Sequence, residues 1–154
     1  MKIKEIMTKK VITVSPEDNI LKVLKILSRN SISGVPVLEN DKLVGIVTES
    51  DIIAKLDSRI QKIHFASSPD FLLIMAGIGS GMDEIEREMK IMKKFRVEDF
   101  MKRDVFTAHP DDSVTEAARI MHKKKVNRIP VLDSKGKLVG IIARQDLVNA
   151  LAKF

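Results

Sequence analysis

Lys42-Leu43-Val44-Gly45-Ile46-Val47-Thr48-Glu49-Ser50-Asp51 is matched, at an offset of 95, by Lys137-Leu138-Val139-Gly140-Ile141-Ile142-Ala143-Arg144-Gln145-Asp146, and the two share their first five residues and their last. Outward from this pair the chain repeats itself. One residue out of step, at an offset of 94, Met7, Val11, Thr13, Pro16, Asp18, Ile26, Pro36, Val37 and Leu38 face Met101, Val105, Thr107, Pro110, Asp112, Ile120, Pro130, Val131 and Leu132. Downstream, Leu56 faces Leu151. Identities held in order at two offsets that differ by a single inserted residue mark an internal repeat. The chain divides into a first copy (1–59), an insert (60–96) and a second copy (97–154).

Each copy has the same local pattern. A short extended run (Val11 to Val14; Val105 to Ala108) leads to a proline, which disfavours helix for the residue before it and suits a helix's first turn. Ser15 is the expected N-cap in copy one, and Asp111-Asp112 a first-turn acidic pair in copy two. Apolar residues then recur at helical spacing: Ile20, Val23, Leu24 and Leu27, and Val114, Ala117, Ala118 and Met121. A β-branched run with an internal proline follows (Val35 to Leu38; Ile129 to Leu132), which confines it to a sheet edge, a strand start or a bulge. Polar turns at 39–42 and 133–137 join it to a second apolar run, and a helix closes the unit. The expected fold is α/β (α+β): two β-α-β-β-α repeats packed through their sheets with pseudo-two-fold symmetry, plus a helical insert. One such unit buries too little surface to be stable alone, so the copies pair, and the interface between them offers clefts for a small molecule.

In the insert, Met82, Ile85, Met89, Met92 and Phe95 recur at three- and four-residue steps, and Asp83 and Glu86 precede Arg87 and Lys90 by four. This is an amphipathic helix, which either covers the module's own core or offers a Met-rich stripe to a partner protein. The run Phe71 to Ala76 followed by Gly77-Ile78-Gly79-Ser80-Gly81 imitates a dinucleotide-binding loop, but its third glycine falls one position early and no βαβ unit has room to follow.

The remaining composition narrows the function. Cysteine is absent, and His64, His109 and His122 are scattered without a carboxylate pair, so neither a metal site nor a catalytic nucleophile is expected. The longest apolar run is far short of the roughly 20 residues a membrane span requires, which points to a soluble, cytoplasmic chain. The net charge of +6 is spread as +2, +1 and +3 over the three segments. Such a field favours phosphate-bearing ligands without naming one. Nucleic acid is a weak rival, because the chain lacks Tyr and Trp for stacking and Lys123-Lys124-Lys125 is its one tight basic cluster.

Thr13-x-x-Pro16, Thr107-x-x-Pro110, the Pro-Val-Leu runs and Gly45-x-x-Thr48-x-x-Asp51 together resemble the cystathionine-β-synthase (CBS) domain, and the tandem pair resembles a Bateman module. The likeness covers nearly the whole of both copies and leaves the insert outside. It implies a regulatory sensor with no catalytic residues or catalytic cofactor, binding AMP, ADP, ATP or an S-adenosyl compound between the copies, commonly as a homodimer acting on a target protein. Independently of the likeness, Gly45 is a place where a ligand could approach backbone, Thr48 offers a hydroxyl at a helix start, and Asp51 can accept from both hydroxyls of a ribose; the plainer alternative is that Thr48 is an N-cap and Asp51 a first-turn acid serving the helix. By the resemblance, Thr48 and Asp51 would work with Val105, Phe106, Thr107, Asn127, Arg128 and Ile129, with Arg128 as a bidentate phosphate clamp. The other cleft would draw on Ile12, Thr13, Val14, Ser33, Val35, Arg144 and Asp146. It is expected to be the weaker, since Ala143 stands where Thr48 does and Gly34 where Arg128 does. The rival to a sensor is an interaction scaffold whose clefts hold nothing and whose Met-rich insert grips a partner.

Overall fold

The structure is a computed structural model that describes residues 1–62, 90 and 93–153. The Met-rich stripe from Met82 to Met92, the glycine-rich stretch and His64 lie outside the described residues. Copy one runs α1 (Ile20–Asn30), β1 (Gly34–Glu39), β2 (Lys42–Thr48) and α2 (Glu49–Lys62), and copy two α3 (Val114–Lys124), β3 (Arg128–Leu132), β4 (Leu138–Ala143) and α4 (Arg144–Leu151). Each sheet is an antiparallel hairpin with a register shift one residue after its proline pair, at Val37/Leu38 and Val131/Leu132. The leading extended runs add only a single parallel bridge each, Val14 to Val37 and Ala108 to Val131, and so fall short of the full strand expected of them.

Turn chemistry closes the hairpins. Asn40 and Asp41 hold φ of 51° and 62°, the double left-handed conformation of a type I′ turn that matches strand twist. In copy two, Gly136 supplies φ of 77°, while the Asp133 carboxylate accepts from the Lys135 and Lys137 amides, both at 2.9 Å.

The helices start later than expected. Asn19 and Ser113 are the caps, accepting from the amides of Lys22 and Glu116. Ser15 instead donates its amide to the Asp18 carboxylate at 2.8 Å, and Asp112 accepts in the same way from His109. The reason is tertiary. The carbonyls of Pro16 and Asp18 accept from Glu98 and Val97, and those of Pro110 and Asp112 from Lys4 and Ile3, so none is left to open a helix. Asp111 is likewise no first-turn residue: its carboxylate receives Lys2 and Lys4 at 2.8 and 2.7 Å. Ala118, expected on the buried face of α3, is exposed.

These contacts belong to an exchange between the copies. Residues 95–102 pack on copy one and residues 1–8 on copy two. Val97, Phe100 and Met101 are buried in one core with Ile20, Val23, Val35, Val37, Val47 and Ile52. Ile3 is buried in the other with Ala117, Met121, Ile129, Val131 and Ile142, and Ile6 and Met7 pack against it. Phe95 also joins the first core, its ring 5.8 Å from that of Phe100. The exchanged segments bond reciprocally to the inner strands, Lys102 with Ile46 and Thr8 with Ile141. Each copy is thus completed by the segment leading into the other.

Candidate functional site

Two clefts lie between the copies. The smaller, about 430 Å³, has Thr48, Glu49, Ser50 and Asp51 from the start of α2 on one side and Val105 and Phe106 on the other. Asn127 and Arg128 close it, and Lys102, Arg103, Asp104 and Lys124 border it. Of the residues expected here, Thr48, Asp51, Val105, Phe106, Asn127 and Arg128 are brought together. Thr107 is exposed and Ile129 is fully buried in the copy-two core, and neither lines the cleft. Strand alternation explains Ile129, since its neighbour Arg128 takes the outward face.

Thr48 and Asp51 form a reciprocal capping box at the start of α2. The Thr48 amide and hydroxyl donate to Asp51 Oδ2 at 3.1 and 2.8 Å, and the Asp51 amide donates to Thr48 Oγ1 at 3.3 Å. The Thr48 hydroxyl is therefore engaged by its own helix, as in the N-cap reading of this motif. Asp51 Oδ1 remains, 3.3 Å from the Lys102 ammonium, on a side chain 9% exposed. Across the cleft, the Lys124 ammonium stands 5.0 Å from the Phe106 ring centroid, a cation–π distance. The expectation for Gly45 is corrected. A Cβ there would lie 2.7 Å from Met101 Sδ and 2.9 Å from the Lys102 carbonyl, so the close approach serves the exchanged segment and leaves no room for a ligand.

The larger cleft, about 1080 Å³, is lined by Ile12, Ser33, Arg144 and Asp146 of the residues expected there. Thr13, Val14 and Val35 do not line it, and the last two are core residues. Asp146 accepts from the Ala143 amide at 2.7 Å, half of the box that Thr48 completes in copy one. Thr8, Lys10, Ser28 and Ser31 add polar groups, and Leu24 and Val148 apolar ones.

Arg128 stands in both linings, as do Ser33, Glu49 and Asn127. Its Nη1 donates to the Gly34 carbonyl at 2.7 Å, and its Nη2 donates to Ser33 Oγ. Nε is buried and meets no acceptor among the described residues. Burial pulls the guanidinium below its ordinary pKa, against the opposing charge of Glu49. Lys102, Arg103, Asp104 and Lys124 were missed by sequence reasoning. The first three run directly into Val105-Phe106, so the expected run could have been extended upstream; Lys124 lies in the basic cluster Lys123-Lys124-Lys125, whose sequence reading bears on nucleic acid and not on this cleft.

Among the described residues no helix is long and apolar enough to cross a membrane. A family model described as the CBS domain matches residues 3–58 and 97–153. An uncharacterised protein of Methanocaldococcus jannaschii is 37% identical over 154 residues, spanning 98% of this chain and 91% of that one. Two further uncharacterised proteins of that organism are longer, and the chain spans 40% and 44% of their lengths. The CBS domain pair of protein MJ0100, in complex with 5′-methylthioadenosine and S-adenosyl-L-methionine, is 26% identical with a TM-score of 0.72, covering 98% of this chain and 99% of that one. CBSX2 in complex with AMP, 24% identical with a TM-score of 0.70 over 99% and 96% of the two chains, shares the fold. With the repeat, the paired hairpins and the matched segments in agreement, the chain belongs to the CBS domain family as a tandem pair.

Proposed function

We propose that the chain is a regulatory module that binds an adenosine-containing ligand between its repeats and catalyses no reaction itself. The observation that carries this reading is Asp51: a nearly buried carboxylate with one oxygen spent on its helix and the other turned to a cation at the cleft edge. A ribose diol can replace that ammonium as donor, and Lys102 would then be released toward a phosphate or carboxylate of the ligand. Phe106 offers an apolar wall for a base, and the volume is in the range of small-molecule sites. The ligands of the MJ0100 pair support the adenosine class. The smaller cleft is the preferred site, since at the matching positions the larger has Ile12 for Phe106, with no ring to stack on a base, and Ala143 for Thr48.

Association as a homodimer belongs to the same reading. Ile53 on α2 and Val148 on α4 are repeat equivalents, and they and Leu151 are 65%, 51% and 69% exposed. Apolar groups repeated on two related helices suit a symmetric partner surface.

Calorimetric titration of AMP, ATP and S-adenosylmethionine into wild type and Asp51→Asn tests the site, with thermal melts to show that both are folded. Binding by the wild type, weakened about tenfold or more in the variant, is expected from loss of a charged hydrogen-bond acceptor. No heat from any of the three, or equal affinity in the two proteins, would overturn the assignment.

A further inference from the structure

The repeat places Gly34 where copy two has Arg128, and Ser33 where it has Asn127. The equivalence holds in three dimensions, since the Glu49 amide donates to the Ser33 carbonyl at 2.9 Å and the Arg144 amide to the Asn127 carbonyl at 2.8 Å. Arg128 therefore reaches across the pseudo-two-fold axis to its own counterpart: Nη1 bonds the carbonyl of Gly34, and Nη2 the hydroxyl beside it. It can do so because that counterpart has no side chain. A Cβ on Gly34 would lie 3.1 Å from Nη1 and 2.9 Å from Thr48 Cγ2. One guanidinium thus forms part of the wall of both clefts, and its counterpart across the axis, Gly34, carries no side chain; the other cations are not shared, Lys102, Arg103 and Lys124 bordering only the smaller cleft and Lys10 and Arg144 only the larger.

From this geometry we infer that Arg128 is a single cation shared by the two clefts, so that an anionic ligand in one cleft weakens the binding of an anionic ligand in the other. The inference rests on the adenosine-binding function proposed above and adds a coupling to it. The guanidinium is held on Gly34 and Ser33 while its Nε meets no acceptor among the described residues, so one of its donors stands to gain a partner when it turns. A phosphate in either cleft takes the fork bidentately and must detach it from those two groups to do so. Turned into one cleft, the guanidinium is lost to the other, which keeps its own border cations but has one positive charge fewer to offset Glu49 in its wall when a second anion arrives. A ligand without an anionic group makes no claim on Arg128, so the coupling is specific to charged adenosine compounds. Coupling of this kind is reciprocal: either cleft, filled first, weakens its neighbour by the same factor.

The test compares adenosine with AMP, by calorimetry, in wild type and in the one-cleft variants Asp51→Asn and Asp146→Asn. Two adenosines per wild-type chain are expected, each with the affinity its cleft shows in the corresponding one-cleft variant. For AMP, the second wild-type event is expected about tenfold or more weaker than the same cleft alone, the loss of one charge-assisted contact. Arg128→Gln should weaken the first AMP and close that gap. The wild-type comparison of the two ligands needs no variant at Arg128, so it holds even if that substitution misfolds. Two independent AMP sites in the wild type would overturn the coupling and leave the binding function standing. A single adenosine per chain would overturn it too, by removing the second cleft. Absence of heat from both ligands would overturn the binding function itself.

Discussion

At the scale of single residues, the two repeat glycines differ in what they can tolerate. Gly45 and Gly140 occupy matching strand positions, each under a methionine from the exchanged segment, Met101 and Met7. Around Gly45 an added Cβ meets a backbone oxygen, the Lys102 carbonyl, at 2.9 Å, and that carbonyl is tied to the Ile46 amide at 2.9 Å and cannot retreat without breaking the bridge. Around Gly140 the nearest atoms all belong to the Met7 side chain, which has three rotatable bonds and can repack. Gly45→Ala is therefore expected to cost about 1–3 kcal/mol, the range for overpacking a rigid site, and Gly140→Ala clearly less. Urea unfolding of the two variants measures the difference, and equal losses would show that Lys102 yields as easily as Met7.

At the scale of elements, one cap carries removable strain. α3 ends on Lys125 in the left-handed region, φ 53° and ψ 41°, a conformation that suits glycine and costs any other residue about 1–2 kcal/mol. Lys125→Gly should raise stability by about 0.5–1 kcal/mol after the unfolded chain's gain in freedom is subtracted. Lys123→Gly, two residues earlier within the helix, should lower it by about 1 kcal/mol. A shift in urea midpoint of opposite sign for the two, at constant slope, checks the argument. The elements were largely legible in the sequence because each rests on local chemistry: the face of α1 on Ile20, Val23 and Leu27, the hairpins on Asn40-Asp41 and Gly136. The helix starts were not, because the carbonyls of Pro16 and Asp18 are engaged by residues some eighty positions away. The same holds at the candidate site. The resemblance to the CBS domain, and not any strand or helix pattern, assigns Asp51, Phe106 and Arg128 to one cleft. The Thr48-x-x-Asp51 spacing also reads locally as an N-cap with its first-turn acid, which is what the bonds show, whereas nothing local shows that Lys102 stands at Asp51 or that Arg128 turns toward Gly34.

At the scale of the whole molecule, the exchange of leading segments makes each core depend on both copies. The copy-two end of this arrangement has an electrostatic clasp: Asp111 receives Lys2 and Lys4, and their hydrogen bonds hold its carboxyl down at about 2. A carboxyl whose pKa is lower folded than unfolded stabilises the fold above its unfolded value, and that contribution fades as pH falls through the folded value. For Asp111 the window runs from the ordinary aspartate value of 3.8 down to about 2. The pair is exposed, so the effect is small and screened by salt. It is best seen locally, in the Ile3 and Lys4 amides, which donate to the carbonyls of Asp112 and Pro110 at 2.9 Å each. Asp111→Asn should speed hydrogen exchange at these two amides, relative to wild type, above about pH 4 and at low ionic strength. The gap should narrow as pH approaches 2 and shrink in concentrated salt, while exchange in β1 and β2 stays unchanged. Equal protection of Ile3 and Lys4 in the two proteins at neutral pH would mean that apolar packing of Ile3 holds the segment without the clasp.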